Sequence, residues 1–241
     1  MDGILLVDKP EGWTSHDVVA KVRSTLRQQV DSKHLKATNY KLQTPKVGHT
    51  GTLDPAATGL LILVLGSYTK RAGEFSKLDK VYEAELTLGA VSSTGDKEGE
   101  ITKTGASGKG IGVSKPKIQE IEKVLRQFKG KIQQTPHVYS AIKIQGKKAY
   151  EMARKGQEVK LEPRQVTIYE ITDVNYDYPK LKFTAKVSSG TYIRSLAEDI
   201  GESLGTGAYL SNLRRTEVGE FKVQNAISVD ETGLAKIAKV W

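Results

Sequence analysis

Residues 47–70 read VGHTGTLDPAATGLLILVLGSYTK, and this stretch decides how the rest of the chain is understood. Its second half contains an unbroken apolar run, 60–65, of strand length, which predicts a buried strand. Its first half is turn chemistry. Three glycines, Gly48, Gly51 and Gly59, surround one acid, Asp54, and Pro55 biases that acid away from helix. A single carboxylate therefore stands on a constrained loop before a buried strand. That placement suits a catalytic group on a rigid scaffold. It equally suits an Asx-type turn in which Asp54 only caps backbone amides.

Upstream, the apolar run at 3–7 predicts another buried strand. Ser15 is placed to N-cap a helix whose Val18, Val19, Val22 and Leu26 share one face. Residues 27–46 lose that periodicity and carry Arg27, Lys33, Lys36, Lys41 and Lys46 against the single acid Asp31, the composition of a solvated basic loop. Downstream, 81–88 alternates as a strand and 104–112 is a Gly-rich connection. Ser114 and Pro116 open a helix with Ile118, Ile121, Val124, Leu125 and Phe128 as its apolar face. Short helices are expected at 146–156 and 229–240, strands at 166–171 and 181–187, and a helix at 191–204 stopped by Gly205. Strands and helices mix without a βαβ rhythm, so the expected class is α+β.

The 241 residues carry 37 Lys and Arg against 28 acids, a net charge of +9, which points to a polyanionic partner such as nucleic acid or simply to a basic protein. Cysteine is absent, which excludes disulfides, Cys-ligated zinc and thiol nucleophiles. The four histidines lack metal-ligand spacing, so no metal is expected. No GK[ST] follows the glycines, and no GxSxG is present. The start, MDGILLVDKP, has no signal-peptide form, and 60–65 is too short to span a membrane, so a cytoplasmic protein is expected.

GHTGTLDP at 48–55, followed by ATGLLILVLG, resembles the signature of the bacterial tRNA pseudouridine-55 synthase family, the TruB type. Other blocks resemble the same family in the same order. ILLVDKPEGWTSHDVV resembles its N-terminal block, and LDKVYEAELTLG at 78–89 the block of its active-site tyrosine. QTPHVYSAIKIQGKKAYEMARKGQEV at 134–159 resembles its RNA-gripping thumb, which is expected to span 131–160. SSGTYIRSLAEDIGESLG at 188–205 and LRRTEVGEF at 213–221 resemble its last two blocks.

The resemblance implies a pseudouridine-synthase catalytic domain over 1–241, with a central mixed, mainly antiparallel sheet, flanking helices and an RNA cleft. It implies isomerisation of uridine 55 in the T-arm of tRNA by a monomer, without cofactor or metal. Asp54 corresponds to the catalytic aspartate, Tyr82 to the tyrosine that stacks on the target base, and Arg194 to the arginine that pairs with the aspartate. His49, Tyr192 and Leu213 correspond to residues that line the nucleotide pocket or order the extruded loop. Taken singly, the tyrosines and Leu213 read as core, Arg194 as a surface ion pair, and the lysines of the thumb block as a solvated face.

Departures are few. Pro136-His137 stands where the family often has paired prolines, Val187 and Thr206 where it often has Cys, and Tyr209 where it often has His. The basic segment 27–46 is longer than usual. The sequence ends at Trp241, a short way past Phe221, so a C-terminal PUA-type RNA-binding domain is not expected. Two other readings are a guide-RNA-dependent relative and a non-catalytic RNA-binding or chaperone protein.

Overall fold

The computed structural model describes residues 2–34, 45–104, 115–136, 143–144, 147–148, 152, 157, 159 and 161–231. In chain order the first elements are β1 (Gly3–Lys9), α1 (Ser15–His34), β2 (Val47–His49), β3 (Thr58–Leu65), α2 (Ala72–Ser76) and β4 (Lys80–Leu88). They are followed by β5 (Ala90–Ser92), β6 (Ile101–Lys103), α3 (Ile118–Gln127), β7 (Gly130–Gln134), β8 (Lys143–Ile144) and β9 (Lys147–Lys148). The last are β10 (Arg164–Asp177), β11 (Lys180–Val187), α4 (Ile193–Ser203), β12 (Ala208–Val218), β13 (Phe221–Lys222) and β14 (Ile227–Ser228). The chain forms two compact units, one of Met1–Lys80 with Arg214–Trp241 and one of Val81–Leu213.

In the first unit the strands run β14-β1-β3-β12, with β2 also on β3 and β13 on β12. β1 and β3 are antiparallel over their whole length, from Gly3↔Leu65 to Lys9↔Gly59, and β14 and β12 join in parallel. Both faces of this sheet are covered. Leu5, Val7, Leu61, Leu63 and Leu65 pack with Val18, Val19, Val22 and Leu26 of α1. Ile4, Leu6, Leu60, Ile62 and Val64 pack on the other face with Val218, Val223, Phe75 and Phe221. Two-sided burial explains why 60–65 is continuously apolar rather than alternating.

Helix α1 corrects only the first part of the loop expected at 27–46, because it continues to His34. No Gly or Pro interrupts the chain between Ser15 and Pro45. Residues 35–44, with Lys36 and Lys41, lie outside the described residues. The cap of α1 is also one residue earlier than expected. Thr14 and Asp17 form it: the Asp17 amide donates to the Thr14 Oγ1 at 3.0 Å, and the Thr14 amide donates to the Asp17 carboxylate at 2.8 Å. Ser15 is thereby left for another contact.

In the second unit the order is β12-β4-β11-β10-β7, beside a β5–β6 hairpin. β10 pairs antiparallel with both β11 and β7, so the sheet is mainly antiparallel, as expected. β4 alternates: Tyr82, Ala84, Leu86 and Leu88 are buried, and the residues between them are not. α3 buries Ile121, Val124 and Leu125 and contacts α4 and β10. It begins at Ile118, and the Lys117 amide bonds the Glu120 carboxylate at 2.6 Å. Ser114 is outside the described residues. Gly205 adopts φ +67° and ends α4 as expected.

Within the expected thumb, β8 and β9 pair as a short antiparallel hairpin, Lys143↔Lys148 and Ile144↔Lys147. The hairpin corrects part of the helix expected at 146–156, most of which lies outside the described residues. At the C-terminus, Val229–Glu231 form a 3-10 turn, and the rest of the expected helix is likewise outside.

Candidate active site

The loop between β2 and β3 carries Asp54, and buried groups hold it by its backbone. Ser15 Oγ accepts from the Leu53 amide at 2.9 Å and donates to the Leu53 carbonyl at 3.1 Å. The Gly12 amide and the Lys9 Nζ both reach the Pro55 carbonyl, at 2.9 and 3.3 Å. Lys9 is fully buried and also donates to the carbonyls of Pro10 and Trp13. The turn after Asp54 closes from the Ala57 amide to the Asp54 main-chain carbonyl at 3.0 Å. Backbone contacts thus define the loop conformation on both sides of the acid.

β3 begins against β12 with no room to spare. Gly59 pairs with Arg215 at φ +102°, and a Cβ there would stand 2.3 Å from the Arg215 carbonyl oxygen. Only glycine fits, both for its backbone angle and for the contact.

His49 is half-buried at the start of the same loop. Its ring meets His16 edge to face at 5.3 Å, and its Nδ1 is buried with no hydrogen-bond partner among the described residues. Burial, then the neighbouring His16 and Arg215, push its pKa down, which favours the neutral ring.

The other candidate residues belong to the second unit. Tyr82 is buried on β4, and Leu213 is half-buried on β12. Tyr192 precedes α4 as its N-cap, and Arg194 follows two residues later. Arg194 is a buried ion-pair residue rather than a surface one. Its Nη1 lies 3.4 Å from the Asp96 carboxylate, with both side chains under 9% exposed, and donates to the Thr94 carbonyl at 3.1 Å. Asp96 also accepts from Thr94 Oγ1 at 2.6 Å and from the Glu98 amide at 3.1 Å. A buried carboxylate, Asp96, is therefore built into the surroundings of Arg194. Sequence reasoning missed it, because Asp96 lies in TGDKEGE, which reads as a solvated polar turn.

The start of α4 is fixed by Gln134 at the end of β7. Its side-chain amide donates to the Tyr192 carbonyl at 2.9 Å and accepts from the Tyr192 amide at 2.8 Å, and Gln134 is only 2% exposed. Ser195 Oγ adds a bond to the Thr135 carbonyl at 3.0 Å. Gln134→Ala removes both amide bonds and is expected to cost about 1–3 kcal/mol of stability, with faster amide exchange at Tyr192. Urea unfolding and hydrogen exchange measure this, and wild-type values in both would show that the pair contributes nothing.

Glu198, one turn after Arg194, has its pKa raised to about 7. Burial is the main cause, the charges of Asp199 and Asp96 add to it, and Arg194 opposes it. Ordinary Glu titrates near 4.5. The resulting penalty is absent where both folded and unfolded chains are protonated, grows as pH rises from about 4.5 through about 7, and is constant above. Glu198→Gln is therefore expected to add about 1–3 kcal/mol near pH 8 and almost nothing near pH 4. Urea titrations at the two pH values decide it, and an equal effect at both would exclude the titration as the cause.

Residues 39–193 match the model of the TruB family pseudouridylate synthase N-terminal domain, and residues 194–239 match that of the tRNA pseudouridylate synthase B C-terminal domain. The chain belongs to the TruB family. It is similar to the tRNA pseudouridine synthase B of Clostridium kluyveri, with 42% identity over 99% of this chain and 75% of the relative. Corynebacterium diphtheriae has a relative at 42% over 95% of this chain and 71% of its own length, and Aquifex aeolicus one at 40% over 96% and 73%.

Among solved structures, a Cbf5-Nop10-Gar1 complex gives a TM-score of 0.67 at 29% identity, covering 95% of this chain and 54% of the other. An H/ACA RNP bound to a substrate RNA containing 2'-deoxyuridine gives 0.64 at 27%, covering 95% and 51%. The chain spans about half the length of these solved chains. The TruB fold is thus the one described above. Among the described residues no helix is long and apolar enough to cross a membrane.

Proposed function

We propose that this TruB-family chain isomerises uridine 55 in the T-arm of tRNA to pseudouridine, with Asp54 as the reacting carboxylate. The observation that carries the proposal is the loop at 48–55, the family-like segment, which holds one acid in a conformation set by buried backbone contacts. The similarity to tRNA pseudouridine synthase B over nearly the whole chain supplies the substrate class.

The reaction breaks the C1′–N1 bond, turns the freed uracil and joins C5 to C1′. The C5 proton is lost and N1 gains one, so nothing is oxidised and no group is consumed. An ionised Asp54 has two routes, adding to C1′ as a nucleophile or taking the C2′ proton to give a glycal. In both, the family resemblance gives Arg194 the role of keeping the aspartate charged, and Asp96 holds the Arg194 guanidinium. Tyr82 offers its ring to the extruded base and offsets part of the unstacking cost. His49, Tyr192 and Leu213 take the roles the resemblance implies for them, lining the nucleotide pocket or ordering the extruded loop.

The test is to incubate the purified chain with an unmodified tRNA transcript and to map pseudouridine by site. Conversion at position 55, absent from a transcript with cytidine there, is expected. A second reading is a catalytic subunit active only within a ribonucleoprotein, favoured by solved relatives that come from such assemblies. Conversion of bare transcript excludes it. Binding without conversion would favour it or a non-catalytic RNA-binding role.

A further inference from the structure

Arg215 is 2% exposed, yet its guanidinium faces backbone carbonyls. Nε donates to Leu60 at 2.8 Å, Nη2 to Gly51 at 3.1 Å, and Nη1 makes a longer 3.5 Å contact to Thr52. No carboxylate is among its hydrogen-bond or ion-pair partners in the described residues. Burying a cation without a counter-charge is costly, so a position that keeps one is under some other demand.

The acceptors show what that demand is. Gly51 and Thr52 precede Asp54, and Leu60 follows it at the start of the buried run of β3. One planar fork therefore spans the loop and ties it to the sheet, a geometry that a lysine's single nitrogen does not reproduce. The fork is itself immobilised, because the Arg215 backbone lies against Gly59 with no room for a Cβ. Its charge is felt nearby, since it helps push down the pKa values of both His49 and Lys80.

We propose that Arg215 is the positioning residue of the Asp54 loop: its fork fixes the backbone that presents Asp54, and its charge favours the ionised carboxylate. The proposal rests on the reading of Asp54 as the reacting group. It assigns Arg215 no contact with substrate.

Two variants of the full chain separate fork from charge. Arg215→Lys keeps the charge and loses the fork. Turnover of bound tRNA transcript is expected to fall about 10-fold or more, as for a misplaced reacting group, with tRNA affinity and the acid limb of the pH–rate profile unchanged. Arg215→Gln loses the charge as well, and the acid limb is expected to move to higher pH. The carboxyl titration of Asp54, followed by carbon NMR and assigned with Asp54→Asn, should move up with it in Arg215→Gln and stay in place in Arg215→Lys.

Wild-type turnover in Arg215→Lys, or an unmoved Asp54 titration in Arg215→Gln, overturns the proposal. Should the neutral variant not fold, Arg215→Lys decides alone: a loss of turnover at constant affinity upholds it and wild-type turnover ends it. The NMR titration needs no activity. A wild-type chain that leaves the transcript unmodified would therefore count against the proposed function, while the Asp54 titration would still judge Arg215.

Discussion

Asp54→Asn is expected to lower pseudouridine formation by about 10³-fold or more while tRNA binding stays within a few-fold of wild type. Asparagine has the size of aspartate but is neither a nucleophile for C1′ nor a base for the C2′ proton. The loop should survive the change, because its conformation rests on Ser15 with Leu53, on Lys9 and Gly12 with Pro55, and on Arg215 with Gly51, none of which uses the Asp54 side chain. Binding and chemistry therefore separate cleanly. Filter binding and single-turnover conversion measure the two, with a preparation shown by mass spectrometry to be free of deamidated Asp. Robust conversion by such a preparation would move the chemistry to another group.

The second large effect is expected from Asp96. Asp96 and Arg194 are both buried, and their ion pair is joined by Thr94 and the Glu98 amide. Removing one partner of a buried pair leaves the other charge poorly compensated, which typically costs about 3–5 kcal/mol. Asp96→Asn should therefore destabilise the fold by roughly 3 kcal/mol. It should also slow turnover on the order of 10²-fold if Arg194 has the role proposed for it, because the guanidinium then loses the group that holds it. Arg194→Met should be comparably harmful, yet the double variant should lose less stability than the sum of the two, since the Asp96–Arg194 interaction is then lost only once. Urea unfolding of the four proteins closes the cycle. Strictly additive losses would show that the pair is not coupled.

A pairing of Asp54 with Arg194 is what the family resemblance implies, and Asp96 is what the structure adds. The two carboxylates differ in legibility. Asp54 stands out in the chain because glycines, a proline and an apolar strand surround it. Asp96 has no such frame, and nothing in its neighbourhood announces that it is 5% exposed. The same contrast separates Thr14 from Ser15. Both are good caps by composition, and only the hydrogen bonds show that Thr14 caps α1 while Ser15 holds Leu53.

What the sequence determined by itself is what local periodicity and block order encode. The apolar run at 60–65, the alternation at 81–88, the face of Val18, Val19, Val22 and Leu26, and the stop at Gly205 each report which side of an element is buried or where it ends. The collinear blocks named the family. What only the tertiary structure decided is the partner of each buried polar group. Ser15 finds Leu53 across 38 positions, Arg194 finds Thr94 across 100, and Arg215 finds Gly51 across 164. A hydrogen bond forms over about 3 Å whatever the separation along the chain, and periodicity holds no record of which distant backbone arrives there.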